Sequence, residues 1–597
     1  MRKYLLSFHR RKIVPTVKAC EKQLIIPLAV MIGALAALAT SAMHALVMLP
    51  ANWALSWHPQ VMAGNWRYWA IFLLFPLAGL SVSFLIQHFW GGPRYAKSLS
   101  PLILALNRHR NSIPLKECIT HVLSSAAAVG CGGSAGLEAP SVLTGSAIGA
   151  NTASLFGIEK SRRNLLIGCG AAAAISAIFK SPIGGVLFAV EVLLPEFRVA
   201  ALIPMLISSA VAAVMSRVLT HESALFHMTV NTPWRTNAVL CYVLCGAICA
   251  LVGVYVIRCA YFLGAWLKKR FPSAVLRLLS GGAALCILLA LFPLLRGQGY
   301  WAVEGIFKGD LDTLCESSPI LSLLPGTAAV IISLGAAVFL KVVTSVLTVD
   351  SGGDGGIFAP SMFIGAFTGF AFARLINLTG AIELQEQNFV IVGMCGVFTA
   401  VIRAPLTGIF LVAEVTGGYI LLVPLMIVSA VAWFVTRLFE PESIYRKVLV
   451  ENKLLYDDRD RALLQRIPVR LCLASDFLPL RADDPVLKVN ELIASTKYKI
   501  FPVLTANGTL QGVIRVEQIL SVMLDPALAQ SLVVFDLMET PSGVVSIDED
   551  LAAAMTHFER CERPYLPVYA GNGRFSGFIF KDNCLAKYRA LIREIDH

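Results

Sequence analysis

The stretch Gly132-Gly-Ser-Ala-Gly-Leu-Glu-Ala-Pro-Ser141 occurs in a second version later in the chain, as Gly352-Gly-Asp-Gly-Gly-Ile-Phe-Ala-Pro-Ser361. Each version lies within hydrophobic sequence and carries a proline, which is favoured in the first turn of a helix because its missing N–H has no partner there to lose. Glycines ahead of a helix let a ligand approach the backbone N–H groups closely. Since a helix N-terminus carries partial positive charge, both stretches predict helix starts that bind an anion.

The composition places these helix starts in a membrane. Of the 597 residues, 56% are hydrophobic and 15% are charged, which leaves too little polar surface for a soluble protein of this length. Residues 23–66 and 317–340 contain no Asp, Glu, Lys or Arg, and either is long enough to cross about 30 Å of hydrocarbon. We therefore expect an integral, multi-pass protein of a lipid bilayer. The expected location is a bacterial inner (cell) membrane.

A second matched pair of segments extends the duplication. Residues 167–185 align with residues 390–408. Further apolar pieces are too short to span a bilayer and end at Gly or Pro, which is typical of interrupted helices that line an ion site in a transporter. Two repeats meeting at an anion site are therefore expected, and the matched glutamates are interpreted as structural carboxylates bonded to helix ends. The matched pairs are Lys180 with Arg403, Pro182 with Pro405, and Glu191 with Glu414.

The distribution of charge predicts topology. Basic residues precede the first long apolar segment, which predicts a cytoplasmic N-terminus. The formal net charge of +12 is explained by basic residues in the termini and short loops, so no nucleic acid partner is expected. Cys241, Cys245 and Cys249 follow helical spacing and could in principle supply thiolate ligands. They are interpreted as small core residues, and no metal site is expected.

Four motifs resemble those of the CLC family of chloride channels and chloride/proton antiporters, over roughly residues 25–450. Gly-Gly-Ile-Phe-Ala-Pro is the most specific of the four. The resemblance implies an all-α polytopic membrane fold of two inverted repeats, a homodimer with one anion pathway per subunit, and chloride or another small anion as the transported ion. The motifs are Gly136-Leu-Glu-Ala-Pro140, Gly355-Gly-Ile-Phe-Ala-Pro360, Ala404-Pro-Leu-Thr-Gly408 and Tyr445.

Main-chain amides are the expected anion ligands, because partial charges allow an anion to bind and to leave again. The resemblance adds the hydroxyl of Tyr445, which would otherwise be interpreted as an interfacial aromatic anchor. The amide ligands are expected at Gly136, Leu137, Gly356, Ile357 and Phe358.

Glu138 stands where the second version has Phe358, so one ionisable side chain breaks the symmetry. When ionised, this carboxylate competes with chloride for the same N–H donors, and when protonated it loses that attraction and can swing away. Glu138 is therefore a candidate gate and proton acceptor, which agrees with the external glutamate that the resemblance implies. The alternative is a glutamate that only stabilises a helix N-terminus.

Two departures from the family pattern bear on mechanism. The family's serine ligand lies in Gly-Ser-Gly-Ile-Pro, and its equivalent here is expected at Phe89-Trp-Gly-Gly-Pro93, where Trp90 or Gly91 replaces the hydroxyl. Family antiporters often carry an inner glutamate where this chain has Val192. Two mechanisms stay open: a passive anion channel gated by Glu138, and a chloride/proton antiporter with a non-standard inner proton path.

The sequence after the last apolar segment resembles a tandem pair of CBS domains. Residues 499–515 and 564–580 each read as strand, Asn-Gly turn, strand and helix start. CBS pairs often bind adenine nucleotides, and the acidic residues in the matching positions are Glu517 and Asp582. The alternative is that both are helix N-terminal acids without a ligand. No other cofactor is expected.

The sequence also bears on other classes of function and on the domain boundaries. No metal cluster, nucleophile–base spacing or phosphate loop points to an enzyme. A nucleotide-sensing membrane receptor without ion flux is the alternative from a different class. The expected domains are a basic cytoplasmic segment (1–23), a first membrane repeat (24–230), a second membrane repeat (231–450), a linker (451–466), a first CBS domain (467–532) and a second CBS domain (533–597).

Overall fold

The computed structural model separates into two compact units, Met1–Asn452 and Lys453–His597. The basic N-terminal residues 1–20 and most of the predicted linker lie outside the described residues. The described residues are 21–62, 66–92, 95, 97–107, 113–194, 199–220, 228, 233–311, 318, 321, 325–380, 382–452, 463–465, 467–495, 499–523, 530–541, 543–561, 563–571 and 573–596.

The first unit is helical, and we call it the membrane unit. Within its described residues, eight helices are long and apolar enough to cross a membrane, so the chain is a multi-pass membrane protein. Its first half contains α1 (Glu21–Met62), α2 (Trp66–Ile86), α3 (Ser100–Asn107), α4 (Leu115–Gly130), α5 (Glu138–Leu155), α6 (Lys160–Phe179), α7 (Pro182–Phe188) and α8 (Val199–Thr220). Turns of π-helix extend α2 over Gln87–Gly91 and α7 over Ala189–Leu193.

The second half repeats this order of long, short and interrupted helices. It contains α9 (Val239–Arg270), α10 (Ala274–Leu291), α11 (Tyr300–Lys308), α12 (Gly326–Asp350), α13 (Phe358–Leu378), α14 (Glu386–Ile402), α15 (Pro405–Val415) and α16 (Leu422–Phe439). The short helix α17 (Lys447–Glu451) ends the membrane unit.

The repeats share an unusual backbone conformation. Lys180 directly follows α6 and Arg403 directly follows α14, and both residues have a left-handed backbone conformation, with φ of 55° and 68°. Non-glycine residues rarely adopt positive φ. A proline then begins the next helix in each half, at Pro182 and Pro405. Because the same strained turn occurs at equivalent places, α5 to α8 correspond to α13 to α16.

Helices α5 and α13 occupy the centre of the membrane unit. Both are buried throughout their first three turns. A Cβ on Gly145 would collide with the carbonyl oxygen of Gly170, and a Cβ on Gly365 would collide with that of Gly393. Backbone therefore packs on backbone between α5 and α6 and between α13 and α14, as small residues permit in membrane proteins.

The second unit, the tail, is an α/β structure with two copies of one hairpin. Strands β1 and β2 pair antiparallel, as do β4 and β5, while β3 pairs parallel with β4. The turns contain Gly508 and Gly573 at φ of 78° and 75°, which glycine adopts readily. In chain order the elements are α18 (Val486–Ser495), β1 (Ile500–Leu504), β2 (Leu510–Arg515), α19 (Val516–Met523), α20 (Val534–Leu537), β3 (Val545–Ser546), α21 (Leu551–Cys561), β4 (Tyr565–Tyr569), β5 (Phe575–Phe580) and α22 (Lys581–Asp596).

Candidate anion site

The two glycine-rich stretches meet in the buried interior of the membrane unit. The N–H of Gly136 donates to the carbonyl of Gly356 over 2.9 Å, and the N–H of Gly356 donates to the carbonyl of Gly136 over 2.8 Å. The loops therefore run antiparallel just before α5 and α13 begin. A Cβ on Gly356 would lie 2.8 Å from the Cβ of Ala139, so this approach requires glycine. One helix N-terminus from each repeat thus reaches the same place.

Both helix starts keep their N-termini open. The N-cap residues Leu137 and Ile357 make no side-chain capping hydrogen bond. The first N–H groups of a helix have no partner within the helix. Of the predicted amide ligands, Gly136 and Gly356 use their N–H groups to pair the two loops. Leu137, Ile357 and Phe358 lie at the two helix starts, where N–H groups can donate to an anion.

The carboxylate of Glu138 already contacts the opposite helix start. The side chain is 1% exposed. Its Oε2 accepts a hydrogen bond from the N–H of Ala359 over 3.4 Å, in the first turn of α13. Glu138 itself begins α5. A residue of the first repeat thus places its negative charge at the N-terminus of the second repeat, which is where an anion would be stabilised.

Tyr300 is the second contact of this carboxylate, and sequence reasoning missed it. Its hydroxyl donates to Oε1 of Glu138 over 2.7 Å. Tyr300 begins α11 directly after Gly299, whose φ is 87°. The available signal was the run Arg296-Gly-Gln-Gly-Tyr300, because paired glycines before a helix start mark another close approach of the backbone.

Lys341 lies behind the loop that leads to Tyr300, and it was also missed. Its side chain is fully buried in α12. Its Nζ donates to the carbonyls of Leu295 and Gly297, over 2.9 Å in each case, and lies 4.7 Å from the ring centre of Phe363. The signal was one lysine inside an otherwise uncharged apolar segment. Lys341 therefore holds this loop in place.

Tyr445 is buried beside the start of the short helix α3. It is 5% exposed, and its carbonyl accepts a hydrogen bond from the hydroxyl of Ser100 over 2.6 Å. Among the described residues its own hydroxyl has no hydrogen-bond partner. Tyr445 lies within electrostatic range of Glu138. A buried hydroxyl without a partner has a donor available for a ligand.

The structure corrects the expected position of the serine motif. Phe89 and Trp90 lie in the π-helical end of α2, with 75% and 55% of their surface exposed. The hydroxyls near Tyr445 come instead from Ser98 and Ser100, whose side-chain oxygens are 3.1 Å apart. The sequence Ser-Leu-Ser-Pro ahead of an apolar run was the overlooked signal of a helix start. Two hydroxyl groups are therefore present at this helix start, and that of Ser100 donates to the carbonyl of Tyr445.

Phe358 is held by aromatic packing rather than by polar contacts. Its ring stacks on Phe179 with centroids 5.4 Å apart and meets the edges of Phe188 and Phe398 at 5.7 and 4.7 Å. These rings belong to α6, α7 and α14. Because the side chain is fixed among them, the N–H groups at the start of α13 are held in a defined orientation.

The contacts of Glu191 and Glu414 agree with the interpretation of both residues as structural carboxylates. Glu191 accepts from the N–H groups of Leu406 and Thr407 over 3.0 and 2.8 Å, at the start of α15. Glu414 accepts from the N–H of Gly184 over 3.0 Å and from the hydroxyl of Ser181, at the start of α7. Each glutamate therefore caps the equivalent helix of the other repeat.

The two acidic residues predicted for the tail are exposed. Glu517 lies 3.7 Å from the guanidinium of Arg515, and Asp582 lies in the first turn of α22. A groove between the two hairpins is lined by other residues, and neither acid contributes to it. The lining residues are Val513, Glu539, Thr540, Pro541, Gly543, Arg563, Tyr565, Leu566 and Pro567.

Comparison with protein families gives two matches. The family described as voltage gated chloride channel matches residues 78–437, which is more than half of the chain. The family described as CBS domain matches residues 471–525, which contain the first hairpin of the tail.

Curated relatives include H(+)/Cl(-) exchange transporters named ClcA. The protein from Vibrio parahaemolyticus is 29% identical over 343 residues, which cover 56% of this chain and 69% of the relative. The protein from Vibrio cholerae serotype O1 is 30% identical over 332 residues, which cover 54% of this chain and 67% of the relative.

Solved structures share the fold. A slow cyanobacterial Cl−/H+ antiporter superposes with a TM-score of 0.62 at 23% identity, covering 73% of this chain and 99% of the other. A CLC-type fluoride/proton antiporter superposes with a TM-score of 0.58 at 24% identity, covering 71% and 97%. A eukaryotic CLC transporter superposes with a TM-score of 0.57 at 18% identity, covering 94% and 97%.

Proposed function

The chain belongs to the CLC family of chloride channels and chloride/proton antiporters, and on this basis we propose that it carries chloride or another small anion across the membrane through a pathway gated by Glu138. The observation that supports this proposal most directly is the contact of the Glu138 carboxylate with the N–H of Ala359. A carboxylate and a halide both favour a helix N-terminus. The side chain therefore competes with the transported ion for one site.

The anion is held mainly by main-chain N–H groups in this mechanism. We assign the N–H groups of Leu137, Ile357 and Phe358 to the anion, whereas those of Gly136 and Gly356 already pair the two loops. Partial charges solvate an anion without holding it as tightly as a full cation would. At the inner part of the pathway we assign the hydroxyl of Tyr445 and, in place of the expected Trp90 or Gly91, that of Ser98, because the hydroxyl of Ser100 already donates to the carbonyl of Tyr445.

Gating follows from the two states of Glu138. Ionised, the carboxylate accepts from Tyr300 and from α13 and closes the path. Protonated, it loses its attraction to the helix N-terminus and yields its place to an anion. Flux should therefore increase as pH falls.

Proton coupling is the finer part of the proposal. The similar proteins from Vibrio are described as exchange transporters, which favours a chloride/proton antiporter over a passive channel. In an antiporter the proton that releases Glu138 crosses the membrane in the direction opposite to the anion. The alternative is a channel in which the same protonation only opens the path.

The tail and the assembly carry two further proposals. The tail hairpins repeat one unit, and the first lies in the matched CBS region, which supports binding of an adenine nucleotide as a regulatory ligand.

Apolar side chains are exposed on α8 and α16, including Ile203 and Met426. Such a surface can pack against a second copy within the bilayer, which supports a homodimer.

The direct test is flux in liposomes that contain the purified full-length chain. Chloride efflux and proton movement are recorded together, with a potassium ionophore to remove the membrane potential. Chloride efflux that exceeds protein-free liposomes supports anion transport, and uphill proton movement driven by a chloride gradient supports the antiporter. Nucleotide binding without any anion flux would support the receptor alternative instead.

A further inference from the structure

A row of ionisable and hydroxyl side chains leads inward along one face of α4. Glu117, His121 and Ser124 are spaced at positions i, i+4 and i+7, so they lie above one another on the helix. Glu117 is half-buried near the exposed start of α4, whereas His121 is 1% exposed. The row therefore begins at the surface and ends in the interior.

The row ends at Asp354, which belongs to the second glycine-rich stretch. Its Oδ2 lies 2.9 Å from Nδ1 of His121 and accepts from the hydroxyl of Ser124 over 2.6 Å and from the hydroxyl of Tyr95. The ring of Tyr95 stacks on that of His121 with centroids 4.6 Å apart. Asp354 is completely buried, and within the described part of the chain its Oδ1 has no hydrogen-bond partner. That oxygen is a buried acceptor site for one more proton or for water.

Charged groups face this cluster from several elements. Lys97, ahead of α3, donates to the carbonyl of Val349 over 3.1 Å and lies within electrostatic range of Asp354. On α4 the ionisable side chains near the cluster include Glu117. Farther out, Asp350 of α12 pairs with Lys268 of α9 over 3.4 Å. Arg277 of α10 lies on the side of Lys97.

The cluster is connected to the anion site through the paired glycine loops. Asp354 is two residues before Gly356, which is paired with Gly136, and two residues span at most about 7 Å. Glu138 follows Gly136 by another two residues. A proton that leaves Asp354 therefore has to pass these loops to reach the gate.

The position of α4 sets the side of the membrane from which the row opens. Helices α1 and α2 each contain one candidate span, so the end of α2 returns to the side where the chain begins. Helix α3 has 8 residues, so it is about 12 Å long and is too short to cross the membrane. The exposed start of α4 is thus on the N-terminal side, which the sequence predicts to be cytoplasmic.

From this geometry we propose that Glu117, His121 and Asp354 form the inner proton path of this protein and deliver protons from the cytoplasmic side to Glu138. The proposal rests on the anion transport and the Glu138 gate proposed above. Each step moves one proton between neighbouring groups, and the donor regains its starting state when the next proton arrives. The last step crosses the paired Gly136 and Gly356 loops, with water as the carrier.

The test compares proton movement with chloride flux in liposomes that contain the full-length protein. In Asp354→Asn and His121→Gln we expect proton movement driven by a chloride gradient to fall at least about tenfold, because each change removes a proton-carrying group. Chloride flux should change by less than about twofold, since the amide ligands are retained. Glu117→Gln, at the half-buried end of the row, should slow proton movement as well and shift its pH profile.

Two variants separate proton transfer from support of the loop. Ser124→Ala removes a donor to Asp354 without removing a titratable group, and we expect it to lower the ratio of protons to chloride less than Asp354→Asn does. Glu386→Gln removes a carboxylate that pairs with the exposed Arg374 over 3.1 Å, and it should keep the wild-type ratio. A loss of coupling in Ser124→Ala equal to that in Asp354→Asn would show a structural role and overturn the proposal.

Other outcomes decide the remaining possibilities. An unchanged ratio in Asp354→Asn and His121→Gln overturns the proposal. If Asp354→Asn does not fold, an unchanged ratio and pH profile in Glu117→Gln overturns it. Chloride flux without any proton movement in the unmodified protein also overturns the inner proton path, but it leaves anion transport intact. Absence of chloride flux in the unmodified protein is a failure of the proposed function itself.

Discussion

The starts of α5 and α13 are two versions of one structure, and they differ in what the helix presents first. Helix α13 begins with Phe358, whose ring is packed among three other aromatic rings. Helix α5 begins with Glu138, whose carboxylate reaches across to α13. In the proposed mechanism, the same backbone binds the anion in one repeat and carries the gating carboxylate in the other.

The largest effect is expected where this difference is removed. In Glu138→Ala and Glu138→Gln the competing charge is absent, so anion flux should persist and its ratio between pH 5 and pH 7 should fall to about 1. In the unmodified protein flux should rise as pH falls, because protonation releases the carboxylate from α13. Chloride efflux from liposomes over this pH range measures both. A pH response in Glu138→Gln equal to that of the unmodified protein would remove Glu138 as the gate.

The next effect concerns the hydroxyl that holds the gate closed. Tyr300→Phe removes a hydrogen bond of 2.7 Å to the carboxylate, and such bonds to charged groups contribute about 1.5–3 kcal/mol. Flux at neutral pH should therefore rise by about tenfold or more, since about 1.4 kcal/mol corresponds to a factor of ten. Tyr445→Phe is the matched control, because its hydroxyl has no partner in the described residues. It should change anion binding, measured by isothermal titration with chloride, and leave the pH response intact.

A smaller effect is expected for carboxylates that occur in both repeats. Glu191→Gln and Glu414→Gln weaken the reciprocal caps of α15 and α7, and loss of a helix cap typically lowers stability by about 1 kcal/mol. The midpoint temperature of thermal unfolding in detergent should therefore fall in both variants, and the decrease should be similar for the two. The pH response of flux should stay as in the unmodified protein. A flux without pH response in either variant would mean that these glutamates share the role of Glu138.

The smallest effect is expected in the tail. If an adenine nucleotide binds there, isothermal titration of the full-length protein with ATP or AMP should release heat, and Asp582→Ala should abolish it. Chloride flux without nucleotide should be unaffected. Glu517→Ala tests the matching position of the first hairpin. A titration without heat in the unmodified protein would exclude these nucleotides as ligands under the conditions used.

Much of the fold was predictable because its signals are local. The lengths of apolar segments predicted the spans, and the short segments bounded by Gly or Pro predicted interrupted helices such as α7 and α15. Duplicated motifs predicted the repeat. Each of these signals depends on a few consecutive residues, so it can be interpreted without knowledge of distant contacts.

The missed residues depend on contacts between distant parts of the chain. Tyr300 contacts Glu138 across 162 positions, and Lys341 is satisfied by carbonyls of another helix connection. The motif comparison predicts the serine equivalent at residues 89–93, whereas packing places Ser100 beside Tyr445. The sequence Ser-Leu-Ser-Pro indicates a helix start, but only packing shows that this start lies beside a distant tyrosine.

The sequence by itself determined that this is a duplicated membrane protein with open helix starts and one carboxylate where symmetry expects a phenyl ring. Only the tertiary structure decided which groups face that carboxylate, and it brought His121 and Asp354 together from positions 233 apart. The physical reason is that helix formation and membrane insertion depend on neighbouring residues, whereas hydrogen bonds in a buried interior depend on which helices pack together.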